Sequence, residues 1–325
     1  MKQITGILFL AAAVLLSPFL LADGVTFTKH QGKIDVKIDG QLFTSYHFEN
    51  VPKPVLYPLM WIDGKTPMTR RYPMEKALPG ESNDHKHHRS LWWGHRHVKG
   101  GKAGKVYDFW GEGTSSGKQV STKVKLHEDT ISSENKWVTK AGETVATDSR
   151  VIRFHATPHG RMLDYKISIH ASHGDLVLMD DKDAGMSIRV PDSMCVSKHG
   201  TAKLAAKGYM LNSEGVTGAA LWGKAAKWVD YSGTVKDTIL GVAIFDHPDN
   251  PRHPTTWHAR AYGLCSANIF GKRHFERLKD SNAGNYDLKK GQSLTFKYRF
   301  YWHTGKGDAK KIEAAYRQWV APNSK

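Results

Sequence analysis

The chain has 325 residues, of which 47 are Lys or Arg and 31 are Asp or Glu, giving a formal charge of +16 with histidine neutral. Its 40% apolar content is enough for a sizeable core, and 24% charged residues exclude a multi-span membrane protein. Two cysteines, Cys195 and Cys265, exclude a disulfide-stapled scaffold and a multi-cysteine zinc or iron–sulfur framework.

Residues 1–22, MKQITGILFLAAAVLLSPFLLA, place one lysine ahead of the apolar run Ile7 to Leu16 and end in small or apolar residues. This is the pattern of a secretory signal peptide, with cleavage expected after Ala22. Ser17-Pro18 breaks the run and nothing apolar continues past Asp23, so no stable membrane span is expected after cleavage. The expected mature product is a single domain, residues 23–325, of charge +15 (+16 less Lys2), periplasmic or secreted. A strongly basic exported protein favours anionic partners, acidic or sulfated oligosaccharides rather than nucleic acid. An oxidising compartment also permits a Cys195–Cys265 disulfide.

Further along, Ile34, Val36 and Ile38 alternate with charged residues ahead of Asp39-Gly40, which predicts a hairpin over Lys33 to Tyr46. Leu163, Tyr165, Ile167 and Ile169 alternate with polar residues as in a half-buried strand. Ile239 to Phe245 is a short apolar run that fits a strand buried on both faces. Leu294, Phe296, Tyr298, Phe300 and Trp302 line one side of a late strand. One segment predicts helix: Asp308 caps Ala309 to Val320, where Ile312, Ala315, Tyr316, Trp319 and Val320 recur at helical spacing. The expected fold is mostly β, a large antiparallel β-sandwich with a C-terminal helix. Length, β content and a His/Arg-rich face make it analogous to the supersandwich of sugar mutarotases.

Chemistry concentrates in two segments. The first, Glu81 to Glu112, holds His85, His87, His88, His95 and His97 within 13 positions, with Asp84, Arg89, Arg96, Trp92 and Trp93. In an extended chain His85 and His87 share one face, and Asp84 and His88 the other. His-x-His pairs can ligate a divalent metal, here through His85, His87 and His95 with a carboxylate from Glu112 or Asp246, but the pattern assigns no cofactor by itself. Imidazoles also suit proton transfer near neutral pH, and Arg89 can fix a carboxylate by two parallel hydrogen bonds.

The second segment, Phe245 to Phe275, holds Asp246, His247, His253, His258 and His274 with Arg252, Arg260 and Arg273. Three prolines make its start irregular. Beyond them Trp257, Ala259 and Ala261 face one way, and His258, Arg260 and Tyr262 the other. A row of His, Arg and Tyr on one strand face fits a surface that protonates, orients and stabilises charge. The histidines at 30, 127, 155, 159, 170, 173 and 199 lack a supporting constellation and read as surface or satisfied core residues. There is no P-loop, dinucleotide glycine fingerprint or Gly-x-Ser-x-Gly elbow.

The runs KPVLYPL (53–59), DHKHHRSLWWGH (84–95), DFWGE (108–112), FDHPDNPRHPTTWHARAYGL (245–264) and NIFG (268–271) together resemble a bacterial domain family labelled "methane oxygenase PmoA". The resemblance implies a secreted protein of polysaccharide-degrading bacteria, and its label implies a metal-dependent oxidoreductase.

From the residues themselves, the expected function is an exported carbohydrate-active enzyme, a hydrolase or lyase of an acidic or modified glycan. His88, His95 and His258 are the expected acid/base groups, with Asp84 and Asp246 tuning them and Tyr262 donating a proton. Arg89 and Arg260 neutralise negative charge, Trp93 or Trp257 offers a flat sugar platform, and His87, His247, Asn268 and Glu112 contact substrate. A non-catalytic glycan-binding module uses the same residues without a titrating base.

Overall fold

The computed structural model describes residues 24–321 apart from 201, 204 and 205, so the expected signal segment, 1–22, lies outside the described residues. Strands Lys33–Ile38 and Gln41–His47 pair antiparallel around Asp39 and Gly40, both at positive φ, as the tight turn of a twisted hairpin requires. In the strands Gly160–His170 and Ser293–Thr304, Leu163, Tyr165 and Ile167 stand opposite Phe300, Tyr298 and Phe296. Cross-strand partners share a face, so the two apolar stripes merge.

Among the described residues three antiparallel sheets result. The first orders its strands as Val25–His30, Lys33–Ile38, Gln41–His47, Val55–Leu59, Leu91–His95, Ala184–Arg189, Leu264–Ala267 and Trp257–Ala259. The second orders Tyr209–Asn212, Trp228–Val235, Thr238–Asp246, Ser293–Thr304, Gly160–His170, Thr144–Thr157, Thr130–Val138 and Lys118–His127. A small third sheet comprises Tyr286–Leu288, Leu176–Leu178, Val98–Gly100 and Lys105–Tyr107. The two large sheets share one hydrophobic core. Rings meet across it, Trp93 with Phe296 at 5.0 Å and Phe43 with Trp302 at 5.4 Å between centroids. The expected antiparallel sandwich is therefore the observed architecture.

The C-terminal helix Ala309–Val320 starts where the Asp308 carboxylate accepts from the backbone N–H groups of Lys310 and Lys311. Its Ile312, Tyr316 and Trp319 pack on Trp228, Ala243 and Phe245, on the outer side of the second sheet. That covering explains why the strand Thr238–Asp246 is buried on both faces from Leu240 to Phe245, though not at the exposed Ile239: Val242 and Ile244 enter the core, and Ala243 and Phe245 lie under the helix. Among the described residues no helix is long and apolar enough to cross a membrane. Cys195 and Cys265 are both buried and unpaired, so the permitted disulfide is not formed.

Candidate active site

Strand parity decides which side chains leave the core. In Leu91–His95, Leu91 and Trp93 join the core and Trp92 takes the outer face with Val55, Trp110 and Leu264. The register carries that outer face across five strands. Val55 stands opposite Trp92, Trp92 opposite Ser187, Ser187 opposite Ser266, and Ser266 opposite His258. The hydroxyls of Ser187 and Ser266 bond to each other. Arg189 and Arg260, two residues beyond Ser187 and His258, extend the same face. Gly94 lets Trp110 lie against the sheet, since a Cβ there would stand 3.2 Å from the indole.

The histidine-rich loop is tied down onto this face by a buried cation. Arg70 donates to Asp84 Oδ1 at 2.7 Å, to Ser82 Oγ at 3.0 Å and to the Asp84 carbonyl at 2.8 Å. Fully buried Arg189 lies beneath, donating to His88 Nδ1 at 3.3 Å. His88 stacks on Trp92 at 5.4 Å, and His85 stacks on His88 at 4.7 Å. The Tyr262 ring then stacks on His85 at 5.4 Å and on His199 at 4.5 Å, with the Arg189 guanidinium 4.8 Å from its centroid. The two chemically dense segments thus meet at the contact between His85 and Tyr262.

On the far side of Tyr262, the Trp222 indole N–H donates to His258 Nδ1 at 3.0 Å. A neutral His258 therefore carries its proton on Nε2, which faces Asp183 Oδ1 across 3.9 Å, too far for a direct hydrogen bond. Asp183 pairs with Arg96 at 2.7 Å and with Lys182 at 3.0 Å. The half-buried Arg260 lies over Trp222 at 5.8 Å and over Tyr262 at 5.4 Å. Its guanidinium makes no hydrogen bond or ion pair among the described residues.

The electrostatics follow from burial set against these partners. Burial alone would raise the Asp84 carboxyl, but His85, Arg189 and Arg70 together hold it far below the usual range. Asp183 is likewise held ionised against burial by Arg96 and Lys182. Burial and the Lys53 charge push His87 down to about 4. Burial, opposed by Asp183, takes His258 to about 3, and burial beside Arg189 takes His88 well below its ordinary value. Burial raises the Tyr262 phenol, while Arg189 and Arg260 pull it back.

A pH prediction follows from these depressed imidazoles. A group whose folded-state pKa lies below its unfolded value stabilises the fold above the unfolded value, and that stability is lost as pH falls. His87, His88, His258 and His95 all stand below the ordinary 6.5. The denaturant midpoint should therefore decline as pH drops from 6.5 to about 4. Chemical denaturation at stepped pH measures it, and a flat midpoint over that window would contradict the assignment of these rings as buried and neutral.

Several expected site residues lie elsewhere. His95 is fully buried on the core side, bonded to the Met179 carbonyl at 2.9 Å and packed on Phe270. It therefore cannot join His85 and His87 around a metal. Trp93 and Trp257 are core residues, the latter donating to the Ala226 carbonyl. Asp246 is inaccessible, and its oxygens accept from Asn250, His253 and the Thr255 N–H, which organises the proline-rich loop. His247 sits under the C-terminal helix, 5.0 Å from Trp319. Asn268 is buried and bonded to the backbone of Asp181, Lys182 and Phe270. Arg89 and Glu112 hold each other through two 2.7 Å bonds, with Lys53 3.3 Å from Glu112, so Arg89 is not free for a substrate carboxylate.

Five residues of the site were not expected. Arg70, Asp183, Arg189, His199 and Trp222 come from segments that carry no dense motif. A lone arginine in the apolar run AGMSIRV was the one available signal, for Arg189.

The fold and this face define an antiparallel sandwich whose outer sheet surface carries buried arginines, neutral imidazoles and a phenol. The chain belongs to DUF6807, a family of unknown function, which it matches over residues 33–317. That match brings no support for the methane-oxygenase label. No curated protein matches the chain. Among solved structures it is similar to a galactose mutarotase-related enzyme from Lactobacillus acidophilus, at 10% identity and a TM-score of 0.36, covering 87% of this chain and 99% of that one. It is also similar to a polysaccharide lyase, at 12% identity and a TM-score of 0.37, covering 89% of this chain and 34% of the lyase. A third similarity is to a GH36 α-galactosidase from Geobacillus stearothermophilus, at 10% identity and a TM-score of 0.38, covering 86% of this chain and 41% of that one. The chain thus spans about a third of the lyase and two fifths of the galactosidase.

Proposed function

We propose that this protein is a carbohydrate-active lyase that cleaves an acidic glycan by elimination beside a uronate carboxylate. Tyr262 is the proton donor, His87 the proton acceptor, and Arg260 the cation that takes the substrate carboxylate. The observation that carries this reading is the state of the charged groups on the face. Asp84 and Asp183 are both tied to cations and ionised. Neither offers the protonated carboxyl that hydrolysis by a carboxylate pair uses. Arg260, by contrast, is a guanidinium without an anion among the described residues.

The fixed tautomers narrow the roles further. His88 and His258 each accept a hydrogen bond at Nδ1, so in the neutral ring Nε2 is a donor and not a base. They form the floor of the site and position what lies above. His87 is half-buried, neutral and outside that network, 4.5 Å from the His88 ring. A bound carboxylate offsets the nearby cations and restores its basicity. In the reaction, His87 takes the proton from the carbon next to the carboxylate. That electron pair becomes the new carbon–carbon double bond. The neighbouring carbon–oxygen bond breaks, and Tyr262 gives its proton to the departing oxygen. Half-buried Trp222, beside Arg260, supplies the flat apolar surface for a sugar ring.

The test is a panel of uronate-containing and neutral polysaccharides, followed by the ultraviolet absorbance of the conjugated product. Absorbance should rise with uronate polymers alone. Chain shortening without that absorbance, or retention of glycan with no product, would contradict elimination.

A further inference from the structure

We infer that Asp84, His85 and His199 form a binding site for a divalent transition-metal ion at the edge of this face, with positions left open for an exogenous ligand. His85 Nδ1 and His199 Nε2 each lie 3.2 Å from Asp84 Oδ2, and the three atoms fall within 4.8 Å of one another. Neighbouring ligands about 2.0–2.2 Å from one ion stand roughly 3–3.6 Å apart, which the two 3.2 Å separations match.

A second observation points to the same place. Asp84 Oδ2 and His85 Nδ1 are both shut off from water and face each other at 3.2 Å without completing a hydrogen bond of good geometry. A buried carboxylate oxygen and a ring nitrogen left in this state are costly unless a cation sits between them. Meanwhile Asp84 Oδ1 is occupied by Arg70 at 2.7 Å, with Arg189 at 3.7 Å. That is the outer-shell pattern that orients a ligating carboxylate and leaves its other oxygen for the ion.

The neighbouring chemistry selects the class of ion. Two guanidiniums close to Asp84 oppose any cation, so a hard ion held by charge alone, such as calcium or magnesium, is disfavoured. Two imidazoles with one carboxylate suit zinc, cobalt or ferrous ions, whose bonds to nitrogen offset that repulsion. Three protein ligands leave a vacant position, as in catalytic rather than structural sites. The inference does not depend on the elimination reaction, and its test needs no substrate.

Chelator-treated full-length protein is titrated with cobalt(II), read by visible absorption, and with zinc by calorimetry. Wild type should take up about one equivalent of either ion, with a cobalt band showing nitrogen coordination. His199→Ala removes an exposed ligand with little consequence for the fold, and it should weaken binding by more than the ~10–100-fold that loss of an outer-shell partner costs. His85→Ala should do the same, and the exposed His173→Ala should bind as wild type does. Absence of uptake by wild type, or equal uptake by wild type and His199→Ala, would overturn the assignment.

Discussion

Replacing Tyr262 with phenylalanine is expected to lower elimination on a uronate polysaccharide by ~10²–10⁴-fold, the usual contribution of a positioned proton donor. The ring contributes packing separately from its hydroxyl. It stacks on His85 and His199 and lies under the Arg189 and Arg260 guanidiniums, and phenylalanine keeps all of those contacts. Thermal unfolding should therefore be almost unchanged while turnover collapses. A merely structural tyrosine would give the reverse. Initial rates of ultraviolet absorbance, taken beside a melting curve, separate the two, and a Tyr262→Phe variant with wild-type turnover would remove the proton-donor role.

The second large effect concerns the core. Asp148→Ala should destabilise the protein by about 3–5 kcal/mol, the cost of leaving a buried charge without its partner. Asp148 and Arg150 are side chains with no solvent exposure, paired at 2.8 Å. The Asp148 oxygens also accept from Asn135 and from the Trp137 indole, each at 2.6 Å. Arg150 reaches Gln119 and, at 3.2 Å, the Tyr165 hydroxyl. Removing the carboxylate leaves the Trp137 indole N–H without its acceptor, takes the shorter of two bonds from Asn135, and leaves the buried Arg150 charge without its anion. Denaturant midpoints measure the loss, and a change below about 1 kcal/mol would mean that water or another anion replaces the carboxylate.

The sheets were legible in the sequence because alternation reports burial directly. Leu163–Ile169 and Leu294–Trp302 sit as their periodicity demanded, and the Asp308 cap marked the start of the helix. The two chemically dense segments were legible for the opposite reason, since so many imidazoles and guanidiniums have no place in a core. Which of them reach the site was harder to read. That depends on strand parity, and parity is set by where the loop ends. The chain turns into its strand at Ser90, with φ +61, which sends Trp92 outward and both Trp93 and His95 inward. Asp246 lies among histidines as a catalytic acid would, yet it bonds its own loop. Arg189, Asp183 and Trp222 arrive from strands and turns distant in sequence, where one polar residue in an apolar run shows no partner. His199 has no chemical neighbours in sequence, and only folding brings Asp84, His85 and Tyr262 to it.

In the proposed reaction the row Trp92, Ser187, Ser266 and His258 is the floor of the glycan site. Crystals of the protein soaked with a short uronate oligosaccharide test this directly. The sugar should lie above that row, its carboxylate on Arg260, one ring against Trp222, and its scissile bond beside Tyr262 and His87. The competing position is the groove beside the C-terminal helix, about 490 Å³, lined by Arg153, His247, Lys297 and Trp319 among others. Oligosaccharide bound in that groove, with the outer face of the first sheet empty, would contradict the proposed site.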